Sequence, residues 1–251
     1  PERVQISDVV VKDSLVENLG GGVHVVTASP KFENVVVQNC SGGNDRTGNA
    51  NRGGGIYIET NSNVIANELT VKDCSLDVSG KGGGLNVDES SGGVFTNAVI
   101  ENNSAFFAAG IFIGNKCTPK FINAKVFGNS ANYGSGIGIF NGGDAEFVNG
   151  TISKNTPTAN AESYGGGLLV YSGAKGTFSG VTFTENEADH GAGVMAWPQA
   201  ILLTFNSCMF TKNVAKVNGG AINAKTSSTI ITSAKTTFAG NEAQNLGGAI
   251  H

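Results

Sequence analysis

The chain is predicted to be all-β, a right-handed parallel β-helix of about nine coils spanning residues 1–251 as one solenoid segment of a longer chain. Three observations predict it. Two short motifs recur in step along the sequence, apolar residues alternate with period two after one of them, and the composition is rich in glycine and strand formers.

The first motif is a pair of small residues followed by an aliphatic one. It occurs at Gly21-Gly22-Val23, Gly54-Gly55-Ile56, Gly83-Gly84-Leu85, Ala109-Gly110-Ile111, Ser135-Gly136-Ile137, Gly166-Gly167-Leu168, Ala192-Gly193-Val194, Gly220-Ala221-Ile222 and Gly248-Ala249-Ile250. The second is an apolar residue three before an asparagine: Ile100 and Asn103, Val126 and Asn129, Ile152 and Asn155, Phe183 and Asn186, Phe210 and Asn213, Phe238 and Asn241. Upstream it continues as Val11 with Ser14, Val37 with Cys40 and Val71 with Cys74. The spacings of the two motifs lengthen and shorten together, which follows if each period is one turn of one coil.

A third column, eight residues before the asparagine position, reads Ile6, Phe32, Ala66, Phe95, Phe121, Phe147, Phe178, Phe205 and Ser233, an expected interior stack. Extra residues fall between the asparagine column and the next glycine pair, at Ser41 to Arg52, Ser75 to Lys81 and Thr156 to Tyr164, so one corner carries the variable loops. Helical repeats of similar length would need a 3.6-residue period. Here Ile56 and Ile58 point inward while Tyr57 and Glu59 point outward. The glycine pair is expected to supply positive φ or close backbone approach at a tight corner, and the buried asparagine to tolerate the left-handed region while bonding to neighbouring coils.

Glycine is frequent, at 37 residues, and proline rare, at 5, which excludes a collagen-like or proline-rich disordered chain. A net charge of −4 and a pI near 5.4 argue against a nucleic-acid partner, which would need a clustered basic surface. No apolar run is long enough for a membrane-spanning helix, and the start at Pro1-Glu2-Arg3 carries neither a methionine nor a signal-peptide pattern. Cys40, Cys74, Cys117 and Cys208 form no metal or redox motif. Stacked thiols are favoured over a bridge for Cys40 and Cys74, and Cys117 and Cys208 are expected to lie outside the regular columns. His24, His190 and His251 have no metal-ligand spacing, and no cofactor or metal is expected.

The pattern resembles the polymorphic outer-membrane protein repeats, whose signature is GGA-[ILV] with F-x-x-N. Gly219-Gly220-Ala221-Ile222, Gly247-Gly248-Ala249-Ile250 and the pairs Phe183 to Asn186, Phe210 to Asn213 and Phe238 to Asn241 carry the match. The likeness covers nearly the whole chain, with Ser14, Cys40 and Cys74 departing from the asparagine. The resemblance implies an extracellular or cell-surface segment acting in adhesion, or else a structural component of an extracellular or ciliary filament.

Fold does not fix function, so a site must be sought on the outside. The outward columns after the glycine pair place Phe112, Phe140, Leu169, Tyr171, Met195 and Trp197 together as one expected exposed apolar face. This face is the candidate binding surface for a protein or a glycan, with Tyr171 and Trp197 as anchors. The alternative is that a loop, a flanking region or further coils of the same protein cover it. An enzyme of the polysaccharide lyase or glycosidase kind would need grouped carboxylates. Glu59 and Asp88 on adjacent coils are the nearest to that, with no basic residue in the same strand columns and solvation as their ordinary explanation. Sequons stand at Asn39, Asn102 and Asn149, meaningful in a secreted eukaryotic protein.

Overall fold

The computed structural model describes residues 3–16, 19–42, 51–77, 79–158, 162–199, 202–233 and 235–251; Asp45-Arg46, which the sequence leads one to expect in a turn, lies outside them. A representative turn starts with strand Ile111–Ile113 on one face. It bends at Asn115 and Lys116 and continues as strand Thr118–Phe127 on a longer face. Single bridges at Ser130 and Tyr133 then close the third side.

Turns stack through parallel pairing into a right-handed solenoid, with one long sheet on each of two faces and two three-stranded sheets with single bridges on the third. In the long sheet nine strands lie in sequence order along the axis, from Gln5–Lys12 to Ile230–Thr232. Nine stacked strands enclose about eight turns, one fewer than the number of half-motifs suggests.

The repeat columns are the register of the sheets. The aliphatic residues after the glycine pairs stand opposite one another from Val23 and Ile56 through to Ile222 and Ile250. Val11, Val37, Val71, Ile100, Val126, Ile152, Phe183, Phe210 and Phe238 form a second unbroken file. The third file departs at its end, where Phe205 pairs with Thr232 and not with Ser233. The last strand has no aromatic ring to seat in the core; Ile230, opposite the buried Leu203 and packed against the core, sets its register instead.

Inside, the phenylalanines stack as rings, with Phe95, Phe121, Phe147, Phe178 and Phe205 at 4.8, 4.7, 5.1 and 5.3 Å between successive centroids. A second pile, Phe183, Phe210 and Phe238, begins edge-on to the first at Phe178. Offset and edge contacts of this kind add about 0.5–1.5 kcal/mol per pair beyond the area buried.

The asparagine file is a closed hydrogen-bond ladder. The amide Nδ2 of Asn155 donates to Oδ1 of Asn186 on the next turn (2.9 Å) and to the carbonyl of Val126 on the previous one (3.1 Å). Its Oδ1 accepts from both the backbone N–H and the Nδ2 of Asn129 (3.1 and 3.0 Å). Asn103, Asn129, Asn186 and Asn213 repeat the scheme and are buried. A buried amide satisfied on both ends avoids the 1–3 kcal/mol cost of an orphan, which is why asparagine and no apolar residue holds this position.

Two expectations about the corners are corrected. The ladder asparagines are not left-handed; the residue before each is, as at Asn102 (φ 55°), Gly128 (65°) and Lys154 (53°), where the chain turns outside the core. Positive φ likewise falls one residue ahead of the glycine pair, as at Gly53 (66°) and Gly82 (71°). The pair itself answers to close approach: a Cβ on Gly55 would stand 2.7 Å from the carbonyl oxygen of Gly84 on the next coil.

All four cysteines are buried and free. Cys40 and Cys74 continue the ladder, each thiol donating to a carbonyl two residues back, Gln38 and Lys72, at 3.2 Å. Cys117 and Cys208 are not outside the columns as expected. Cys117 shares a small-residue corner with Ser91 and Gly143, and Cys208 stands in one file with Gly150 and Val181, a pattern the two motifs did not reveal.

Candidate functional site

The short strands Ile56–Glu59, Leu85–Val87, Ile111–Ile113, Ile137–Ile139, Leu168–Val170 and Val194–Ala196 turn every second side chain outward. One outward file reads Tyr57, Asn86, Phe112, Gly138, Leu169 and Met195. In most of these strands all three residues are nonetheless buried, so something lies over the face.

The cover is a file of residues that each stand directly before the left-handed residue of the corner: Leu19, Arg52, Lys81, Phe107, Tyr133, Tyr164 and His190, linked turn to turn by single bridges. Phe107, Tyr133, Tyr164 and His190 stack face to face with centroids 5.1, 5.7 and 5.2 Å apart, and their bodies lean across the outward file. The sequence carried this signal as a bulky residue ahead of each glycine run, and it was not among the columns read.

The six predicted residues are brought together, but their exposure is corrected. Phe112, Phe140, Leu169 and Met195 are buried, Trp197 is half-buried, and only Tyr171, at 39%, is exposed. Leu169 and Met195 form a floor. Trp197 lies on Tyr164 (4.7 Å) and is tilted against Tyr171 (5.7 Å).

Two glycines open a groove in this layer. Gly138 leaves room for the ring of Phe140 to fold back onto Phe112, stacked at 5.1 Å. Gly114 does the same for Phe112, whose Cε1 would lie 2.7 Å from a Cβ there. The resulting cleft of about 610 Å³ is walled by Phe107, Phe112, Tyr133, Phe140, Tyr171, Trp197 and Pro198, with Lys81, Asn141 and Gln199 as polar members. Such a volume falls within the usual span of ligand pockets, about 300–1,000 Å³.

Toward the N-terminal coils the same face becomes ionic. Arg52 donates to the Tyr57 hydroxyl (2.9 Å) and to Asp88 (3.2 Å); Tyr57 donates to Glu59 (3.0 Å), and Glu59 pairs with His24 (2.7 Å). Burial lowers the Arg52 pKa, but the Tyr57 hydrogen bond and the charges of Asp88 and Glu89 outweigh it, so the net shift is upward. Burial also drives the Tyr57 phenol well above its ordinary range. The expectation of solvated acids without a basic neighbour is corrected: Asp88 is buried, and Arg52 reaches it from the covering file, not from the strand columns.

At the other end His190 pairs with Glu162 (3.1 Å), and Ser163 donates to Asp189 (2.7 Å). Tyr164 is pushed up to about 12 by burial and by its bond to Glu162. Among the described residues no three His, Cys, Asp or Glu side chains converge where a metal ion could sit. The sequon residues Asn39, Asn102 and Asn149 all lie exposed on left-handed corners.

A stack of parallel turns with a laddered core and a grooved outer face defines this molecule as a β-helix scaffold. The chain belongs to the family described as the right handed beta helix region, whose profile matches residues 3–152. Residues 207–225 and 235–251 match the Chlamydia polymorphic membrane protein repeat, the two stretches that hold Phe210 to Ile222 and Phe238 to Ile250. That repeat implies an outer-membrane or cell-surface location. Neither the curated proteins nor the solved structures include a match.

Proposed function

We propose that the chain is a non-enzymatic, adhesin-like segment displayed at a cell surface, which engages a partner through the aromatic groove. The observation that supports this is the cleft itself: an apolar, concave site held on rigid strands in a chain with surface-protein repeats. Tyr171 and Trp197 are its accessible anchors, residue types that dominate binding energy at interfaces. The Glu59 and Asp88 carboxylates are held in ion pairs and hydrogen bonds, which favours a structural role over acid–base chemistry. The test is attachment of surfaces coated with the chain to cells and matrix proteins, comparing wild type with the Tyr171→Ala, Trp197→Ala double variant. Attachment falls to background in the variant while its circular dichroism is unchanged. Equal attachment of both proteins sinks the reading.

A further inference from the structure

We propose that the groove receives a peptide segment of a partner protein that places an acidic side chain beside a bulky apolar one, the acid on Lys81 and the apolar group against Trp197. The inference rests on the adhesin reading and names the partner chemistry of the same site.

The charge argument comes from Lys81. Its Nζ sits 5.6 Å from the centroid of the Phe112 ring, at the edge of the cleft. Among the described residues no carboxylate lies within salt-bridge distance of it, although Arg52 beside it is paired with Asp88 and Glu89. Burial, and then the charge of Arg52, push the Lys81 ammonium down by more than the more distant charge of Asp88 lifts it, so an incoming carboxylate in direct contact would supply the countercharge that the fold provides only in part. Around Lys81 the walls are rings, with Asn141 and Gln199 the other polar side chains apart from the tyrosine hydroxyls. A sugar brings hydroxyls on most of its carbons, and few would find partners here, whereas an apolar side chain needs none. A peptide with one acid and one large apolar group matches both features.

Trp197 is the chain's one tryptophan, so its emission reports the groove directly. The probes are N-acetyl-Phe-Asp-amide and its neutral isostere N-acetyl-Phe-Asn-amide, titrated against the intact chain. The acid is expected to bind roughly tenfold more tightly, in line with a charge-assisted bond. Lys81→Met keeps the stem over Phe112 and should bring that ratio to near one, while Lys81→Arg should retain the preference. Equal binding of the two peptides to wild type overturns the inference, as does a preference that survives in Lys81→Met. Tighter binding of a hexuronate disaccharide than of the acidic peptide overturns it in favour of a glycan. Loss of cell attachment in the Tyr171, Trp197 double variant combined with no acid preference would leave the adhesin reading standing and this one fallen; an acid preference without any effect on attachment would do the reverse.

Discussion

Replacing Asn155 by alanine removes one rung from the middle of the buried amide ladder. Four hydrogen bonds go with it: two donated, to Asn186 Oδ1 and the Val126 carbonyl, and two accepted, from the backbone and side chain of Asn129. At about 1 kcal/mol each the loss is about 4 kcal/mol. Much of it falls on one group, because the Asn129 N–H has Asn155 Oδ1 as its acceptor, whereas the Asn129 Nδ2 keeps the carbonyls of Ile100 and Phe127. Asn241, nearer the end and half-buried, makes three such bonds, so alanine there costs less. Urea unfolding followed by far-ultraviolet circular dichroism measures both variants, and hydrogen exchange reads the Asn129 amide, which should lose its protection in Asn155→Ala alone. A cost under about 1 kcal/mol with Asn129 still protected would refute the ladder as a source of stability.

Two further outcomes separate the parts of the molecule. Leu169→Ala, in the floor of the groove, should lower stability by roughly 2–5 kcal/mol, and Tyr171→Ala, on the rim, by far less, as thermal melting will record. The buried thiols Cys74 and Cys117 are pushed up to about 12 from an ordinary 9.0, chiefly by burial. The unfolded chain therefore releases these protons first: their contribution to stability is whole below pH 9 and declines as the pH rises toward 12. Unfolding midpoints measured between pH 8 and 11 should fall, and Cys74→Ser, Cys117→Ser should flatten that fall.

Most of the fold was legible because each column of the sequence is a register line of a sheet. Val71, Ile100 and Val126 could be aligned by counting alone, and the structure stacks them. The register of the last coil was not, since Thr232 and Ser233 offer no apolar difference by which to choose. The site was read half correctly for a physical reason. Alternation tells which side of a strand a residue leaves from, so Phe112, Phe140, Leu169 and Met195 were placed outward and together. It is silent about what lies over that side, and the covering file of Phe107, Tyr133 and Tyr164 comes from a different corner of the turn. Arg52 escaped for the same cause, reaching Asp88 across a corner that no strand pattern describes.

The glycines at 114 and 138 carry a last consequence. They are neighbours of Ile113, Ile137 and Ile139, whose side chains are sealed in the core, yet their own positions face the groove. Shape on the outside and cohesion on the inside are thus written in alternating letters of one short strand. A lineage of such chains can redraw its surface one letter at a time, deepening or filling the cleft, while the intervening letters and the amide ladder continue to spell the same scaffold.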